Sequence, residues 1–175
     1  GLAIMAPLKK YLANAESISW PLKLLDKVAD RALELQVLQE ILARHEPGYE
    51  RDPTKKIQLL NHLAGLKDGS VPALVAPYLV DMDEGVRYAA AEALVRLTDE
   101  AVAVAPLLAR FTDPQEDSLR VRLLIAEGFA DLGWRVPADA RAGVEKYLPD
   151  SFKLTKNETA GLQQLRIVKK LPAKD

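Results

Sequence analysis

The chain has 175 residues, of which 49% are hydrophobic but only 6% aromatic, with a formal net charge of −1 and no cysteine. The lack of cysteine excludes disulfides, Cys-based zinc sites and thiol catalysis. The near-neutral balance lacks the basic excess of a general nucleic-acid binder, and no apolar run approaches the ~20 residues of a membrane span.

In chain order, the first predicted elements are a loose helix pair, about Ile4 to Ala13 and Pro21 to Ala29. No charged n-region and no long h-region precede them, so no signal peptide is expected and the default is a soluble cytoplasmic protein. Trp20 before Pro21 reads as a hydrophobic staple at a helix start. The second pair is Leu33 to Ala43 and Lys56 to Leu66, joined by a polar link from Glu46 to Pro53. The third begins at Val71-Pro72-Ala73-Leu74, turns at Asp81-Met82-Asp83-Glu84-Gly85 and continues through Val86 to Leu97. The fourth begins near Glu100, passes Val104, Leu107, Leu108 and Phe111, turns at Asp113 to Ser118 and continues through Val121 to Leu132. In these turns Pro114 stops a helix, and the Asp and Ser residues cap the next one. A partial fifth unit runs from Pro137 to about Leu148.

The pairs repeat. Val86-Arg87, Ala91-Glu92 and Leu97 match Val121-Arg122, Ala126-Glu127 and Leu132 at an offset of 35 residues. Lys56 stands where Arg87 does, at an offset of 31. Val86, Ala90, Leu94 and Leu97 follow one helix face, and Val121, Ile125, Phe129 and Leu132 repeat it. One helix pair cannot bury its apolar face alone, so units at this spacing stack. The expected fold is all-α: a solenoid of about four antiparallel helix pairs over residues 1–148. Residues 149–175 form a basic extension packed on or near it.

The Asp-turn, the following Val-Arg and the Ala-Ala-Ala-Glu-Ala-Leu helix of residues 81–97 closely resemble a HEAT repeat. Residues 113–132 resemble one nearly as well, and the resemblance covers roughly residues 20–148. In that family the turn Asp and the helix Arg hold adjacent units together. This implies an inter-repeat role for Asp81 with Arg87 and for Asp113 with Arg122. The 33–66 unit departs from the pattern because Lys56 replaces the Arg, so its turn is expected to be held differently. Trp20-Pro21-Leu22-Lys23, Lys56-Ile57-Gln58-Leu59, Ile125-Ala126-Glu127-Gly128 and Gly133-Trp134-Arg135-Val136-Pro137 also look like a family of bacterial HEAT-repeat proteins. Its members are usually longer at the N-terminus, which implies that this chain is a C-terminal portion. That resemblance supplies no activity.

In the extension, Phe152-Lys153-Leu154-Thr155 alternates apolar and polar, and Leu165-Arg166-Ile167-Val168 is partly β-branched, which suits a β-hairpin. A helix from about Glu158 to Leu171, capped by Asn157, would place Leu162, Leu165 and Val168 on one face. Both remain open. Charge is uneven: residues 71–150 carry 8 basic and 14 acidic groups, whereas residues 151–175 carry 6 basic and 2 acidic. The expected reading is solvated surface, with the tail drawn to its own body.

Site chemistry is sparse. Asp81, Asp83 and Glu84 are too closely spaced for a calcium loop and suit helix capping. His45-Glu46 resembles one His-Glu pair of the HEAT-like iron hydroxylases, which need several, and with two histidines no metal site is expected. Arg87, Arg96, Arg120 and Arg122 offer cations for a phosphate groove like that of HEAT-like DNA glycosylases, but the same segment is net acidic. There is no Gly-rich phosphate loop and no Ser/His/Asp set. The expected function is therefore a non-enzymatic protein–protein interaction scaffold, without cofactor, metal or catalytic residue. Its partner is another protein, with no general nucleic-acid binding and no membrane. Tyr88, Glu92, Arg96, Arg120 and Glu127 are the concave-face candidates. The alternative is a HEAT-like lyase or DNA glycosylase-type enzyme, which would need a deep pocket with converging carboxylates and aromatics.

Overall fold

A computed structural model describes residues 2–159 and 161–172. The first two helices are α1 (Met5–Asn14) and α2 (Ser19–Val28), followed by α3 (Arg31–Leu42) and α4 (Thr54–Leu66). Next come α5 (Val71–Val75), α6 (Glu84–Leu97), α7 (Glu100–Phe111) and α8 (Leu119–Leu132). A two-residue strand β1 (Arg135–Val136) precedes α9 (Arg141–Tyr147), and the chain closes with β2 (Phe152–Thr159) and β3 (Leu162–Lys169).

Local chemistry sets the helix ends. The side chains of Asp30, Asp83, Asp99 and Ser118 accept from the backbone N–H three residues on, at 2.9, 3.0, 3.3 and 3.2 Å. Each satisfies one of the free donors at the start of α3, α6, α7 or α8. α6 ends on Thr98 and α8 on Gly133, both left-handed, with φ of 56° and 64°. After α5 the chain tightens into a 3₁₀ stretch, Ala76–Val80, rather than continuing as one α-helix. Pro77 is the cause, because it has no N–H to give to the carbonyl four residues back.

The second helices of successive units, α4, α6 and α8, lie side by side, and β3 packs against the far side of α8. One core runs through the stack, from Leu59 and Leu63 through Ala90 and Leu94 to Ile125 and Phe129, and on to Val136, Phe152 and Ile167. The approach of α6 to α8 is close: a Cβ added at Gly128 would lie 2.6 Å from Val95 Cγ2. Trp134 is buried, edge-on to Phe129 with ring centroids 5.4 Å apart. Trp20, by contrast, lies within α2 and is 69% exposed, so it is not the staple that its place before Pro21 suggested.

The C-terminal extension is the hairpin, not the helix. β3 is the central strand of a three-stranded antiparallel sheet in the order β1-β3-β2. Phe152 faces Lys169 and Leu154 faces Ile167, while Arg135 and Val136 face Arg166 and Leu165. The expected division at residue 148 therefore cuts through the sheet, since β1 precedes it and β2 and β3 follow it. The sheet occupies the place where a further second helix would stack.

Two glycine substitutions test this packing. Gly128→Ala should lower stability by on the order of 1 kcal/mol despite better helix propensity, because the new methyl meets the branched Val95. Gly65→Ala in α4, with nothing within 4 Å of its added Cβ, should be neutral or stabilising by about 0.5 kcal/mol. Urea denaturation of both variants is the check.

Candidate interaction surface

Each second helix carries a cation six residues after a turn carboxylate: Glu50 and Lys56, Asp81 and Arg87, Glu116 and Arg122. Each cation binds carbonyls of its own unit, and two of the three also reach the carboxylate of the next turn. Lys56 Nζ donates to the Gly48 carbonyl at 2.8 Å and to Asp81 Oδ2 at 2.7 Å. Arg87 Nη1 donates to the carbonyls of Asp81 and Met82, both at 3.1 Å. Its Nε and Nη2 grip Glu116 at 3.0 and 2.9 Å. Arg122 donates to the carbonyls of Phe111 and Asp113 at 3.0 and 2.8 Å, and its guanidinium stacks 4.0 Å over the Tyr147 ring.

The implied partners need correction. Arg87 takes the carbonyl of Asp81, while the Asp81 carboxylate belongs to Lys56 of the preceding unit. Arg122 likewise takes the carbonyl of Asp113, whose carboxylate pairs with Arg110 Nη2 at 3.0 Å. The acid that matches Asp81 is Glu116. Asp81 Oδ1 accepts the Asp83 N–H at 2.8 Å, and Glu116 Oε1 accepts the Ser118 N–H at 2.9 Å, closing the two turns alike. The 35-residue offset carries Asp81 onto Glu116, whereas residue type alone points to Asp113. Arg110 Nε also lies 3.0 Å from Glu116 Oε2, without hydrogen-bond alignment, so this buried carboxylate serves two arginines.

The five surface candidates divide into two groups. Tyr88 and Arg120 close on one another across the α6–α8 seam, the guanidinium 4.1 Å from the ring centroid. Arg120 is also forked onto Glu84 at 3.0 and 2.7 Å, and the Ser118 hydroxyl donates to the same carboxylate at 2.7 Å. The Arg120 hydrogen bond, more than the Ser118 one, holds the Glu84 carboxyl below its ordinary range. These groups are largely committed to the protein itself.

Glu92, Arg96 and Glu127 lie further along the same helices. Glu92 and Arg96 follow Tyr88 at four-residue steps on one face of α6, and Glu127 is the α8 equivalent of Glu92. Arg96 and Glu127 are exposed and Glu92 is half-buried. Asn61 on α4 extends the row on one side. Asp131, bonded at 2.7 Å to Lys169 of β3, extends it on the other.

Histidine serves the interior: His62 Nε2 lies 2.8 Å from Glu34 Oε1 of its partner helix. Among the described residues no three His, Asp or Glu side chains converge as metal ligands, and no helix is long and apolar enough to cross a membrane. A groove of about 510 Å³ lies between the start of α7 and the sheet, away from the row.

The family description for HEAT repeats matches residues 35–127, more than half of the chain. The chain belongs to the HEAT-repeat family. The match runs from α3 into α8, so it contains both inter-unit ion pairs, while α1, α2 and the sheet lie outside it. Comparison with curated proteins and with solved structures finds no match. α4, α6 and α8 are the second helices of successive repeats.

Arg122→Ala removes two hydrogen bonds to carbonyls and the stacking on Tyr147, and should cost about 1–3 kcal/mol. Arg96→Ala, at an exposed site, should stay within about 0.5 kcal/mol of the parent. Equal denaturation midpoints for the two variants would contradict the assignment.

Proposed function

We propose that this HEAT-repeat chain is a non-enzymatic scaffold that binds another protein along the row of second helices. The observation that carries the reading is that these helices are held in register by buried charge pairs, so that Asn61, Glu92 and Glu127 recur at equal positions on consecutive helices. A surface ordered before binding loses little entropy when a partner docks. Its surface chemistry is mixed: Glu92 and Glu127 are acidic and Arg96 is basic, while Arg120 covers the Tyr88 ring. Rim charges of both signs select a partner by complementarity and steer its approach.

Two features support a scaffold over a lyase or a glycosylase-type enzyme. Glu84 and Asp131 are occupied by Arg120 and Lys169, and neither they nor Glu92 and Glu127 of the row line the 510 Å³ groove. The regular arginines of the repeat are occupied too, Arg87 by Glu116 and Arg122 by carbonyls, which leaves few cations to neutralise phosphates.

Affinity capture from a native cell lysate, read by mass spectrometry, tests the proposal when a charge-reversed variant is run beside the parent. Proteins retained by the parent should be lost with Glu92→Lys, Arg96→Glu and Glu127→Lys combined, while its circular dichroism is unchanged. An identical captured set for parent and variant would place binding elsewhere.

A further inference from the structure

β1 is two residues long and β3 is eight. Beyond Val136, Pro137 turns the chain away into the 3₁₀ stretch Ala138–Ala140, closed by the Ala140 N–H donating to the Pro137 carbonyl at 3.0 Å. On that side of β3, residues 162–164 face no strand among the described residues. Hydrogen-bonding direction alternates along an antiparallel strand. The Lys170 N–H donates to the Ser151 carbonyl, on the β2 side, at 2.8 Å. Counting back by twos, Gln164 and Arg166 also point to β2, whereas Gln163 and Leu165 point to β1. Leu165 meets Val136 there, and Gln163 directs its N–H and carbonyl to an open edge.

That edge borders the 510 Å³ groove, whose apolar walls include Ala101, Val104, Val136 and Leu165. Its charged lining is Arg135 and Glu100, and Arg166 stands beside it on β3. Arg135 and Arg166 are directly opposite in register, so two like charges share one face of the sheet. Glu100 accepts the Arg135 N–H at 3.1 Å and approaches its Nε at 3.4 Å. Among the described residues, Arg166 Nη2 has the side-chain oxygen of Gln164, at 3.2 Å, and its Nε has no partner.

We propose that this groove takes an extended acidic segment of a partner protein, which adds to β3 at Gln163 as a short strand. Alternate side chains of an extended chain point to opposite faces. An apolar side chain enters the groove beside Val104 and Leu165, and its neighbour places a carboxylate against Arg135 and Arg166. Main-chain pairing supplies affinity, and the pocket and the two arginines supply selectivity. This site is separate from the row of second helices.

Random peptides displayed on phage, panned against the whole chain in about 150 mM salt, supply the probe. One selected peptide is then labelled and titrated by fluorescence anisotropy. The expected result is enrichment of sequences alternating Asp or Glu with apolar residues. Binding should weaken about tenfold or more in Gln163→Pro, Arg135→Glu and Ala101→Tyr and stay unchanged in Glu92→Lys. Proline at 163 removes only an N–H that points away from β2. Ala101→Tyr, on an exposed helix surface that lines the groove, decides the matter should Gln163→Pro disturb the hairpin. No enrichment above an unrelated protein, enrichment without the acidic–apolar alternation, or binding indifferent to Ala101→Tyr overturns the proposal. So does a dimer by light scattering that Gln163→Pro dissociates, which would seat a second copy on the edge.

Discussion

An ammonium and a carboxylate, both sealed from solvent, join the second helix pair to the third. Lys56 Nζ lies 2.7 Å from Asp81 Oδ2, with side-chain exposures of 1% and 0%. Two charges in a low-dielectric interior are tolerated only when they meet, and removing one partner strands the other at a cost of about 3–5 kcal/mol. The same device recurs one unit on, where Arg87 grips Glu116. Contacts among leucine, alanine and valine survive a small slide of one helix past another, because apolar attraction has no direction. An ion pair with two or three further hydrogen bonds does not. The buried charges therefore set the register of α4, α6 and α8, and with it the spacing of every side chain that these helices present. At the N-terminal side the ladder stops at Glu50, which pairs with His45 of its own loop. At the C-terminal side Arg122 has the ring of Tyr147 in place of an acid.

Much of this was legible in the sequence because it is local or periodic. Val86, Ala90, Leu94 and Leu97 mark a helix face by spacing alone, and Asp83 and Ser118 are caps by residue type and place. The HEAT family itself was readable from residues 81–97, where the turn, the arginine and the alanine-rich helix stand together. The partners of the charges were not, because each rung joins residues 25 to 30 positions apart, and a turn with several acids offers several choices. Asp113 matched the expected residue type, yet Glu116 has the reach and the place.

The other departures have separate causes. Pro77 breaks the first helix of the third unit into a short α-helix and a 3₁₀ turn, an effect of one missing donor. The extension could be read as strand or helix because its apolar residues satisfy both periods. What decides it is β1, whose residues pair with β3 across 29 and 31 positions, together with the core that Phe152 and Ile167 enter. Among the surface candidates, residue type did not reveal that Tyr88 and Arg120 stack on each other while Arg96 and Glu127 stand in solvent. The open edge at Gln163 carried no local signal either, since it arises from the length of β1 and the turn at Pro137.

A double-mutant cycle on Lys56→Met and Asp81→Asn, measured by chemical denaturation, tests the central claim most directly. Asparagine keeps one of the two oxygens that accept the loop N–H groups of Gly48 and Asp83, and the loss of the other acceptor is common to Asp81→Asn and the double variant, so it cancels in the coupling energy. The account predicts that each single variant loses about 3–5 kcal/mol. The double variant should lose little more than one of them, leaving a coupling energy of about 2 kcal/mol or greater. Losses that add to within about 0.5 kcal/mol would show that the pair does not hold the units together.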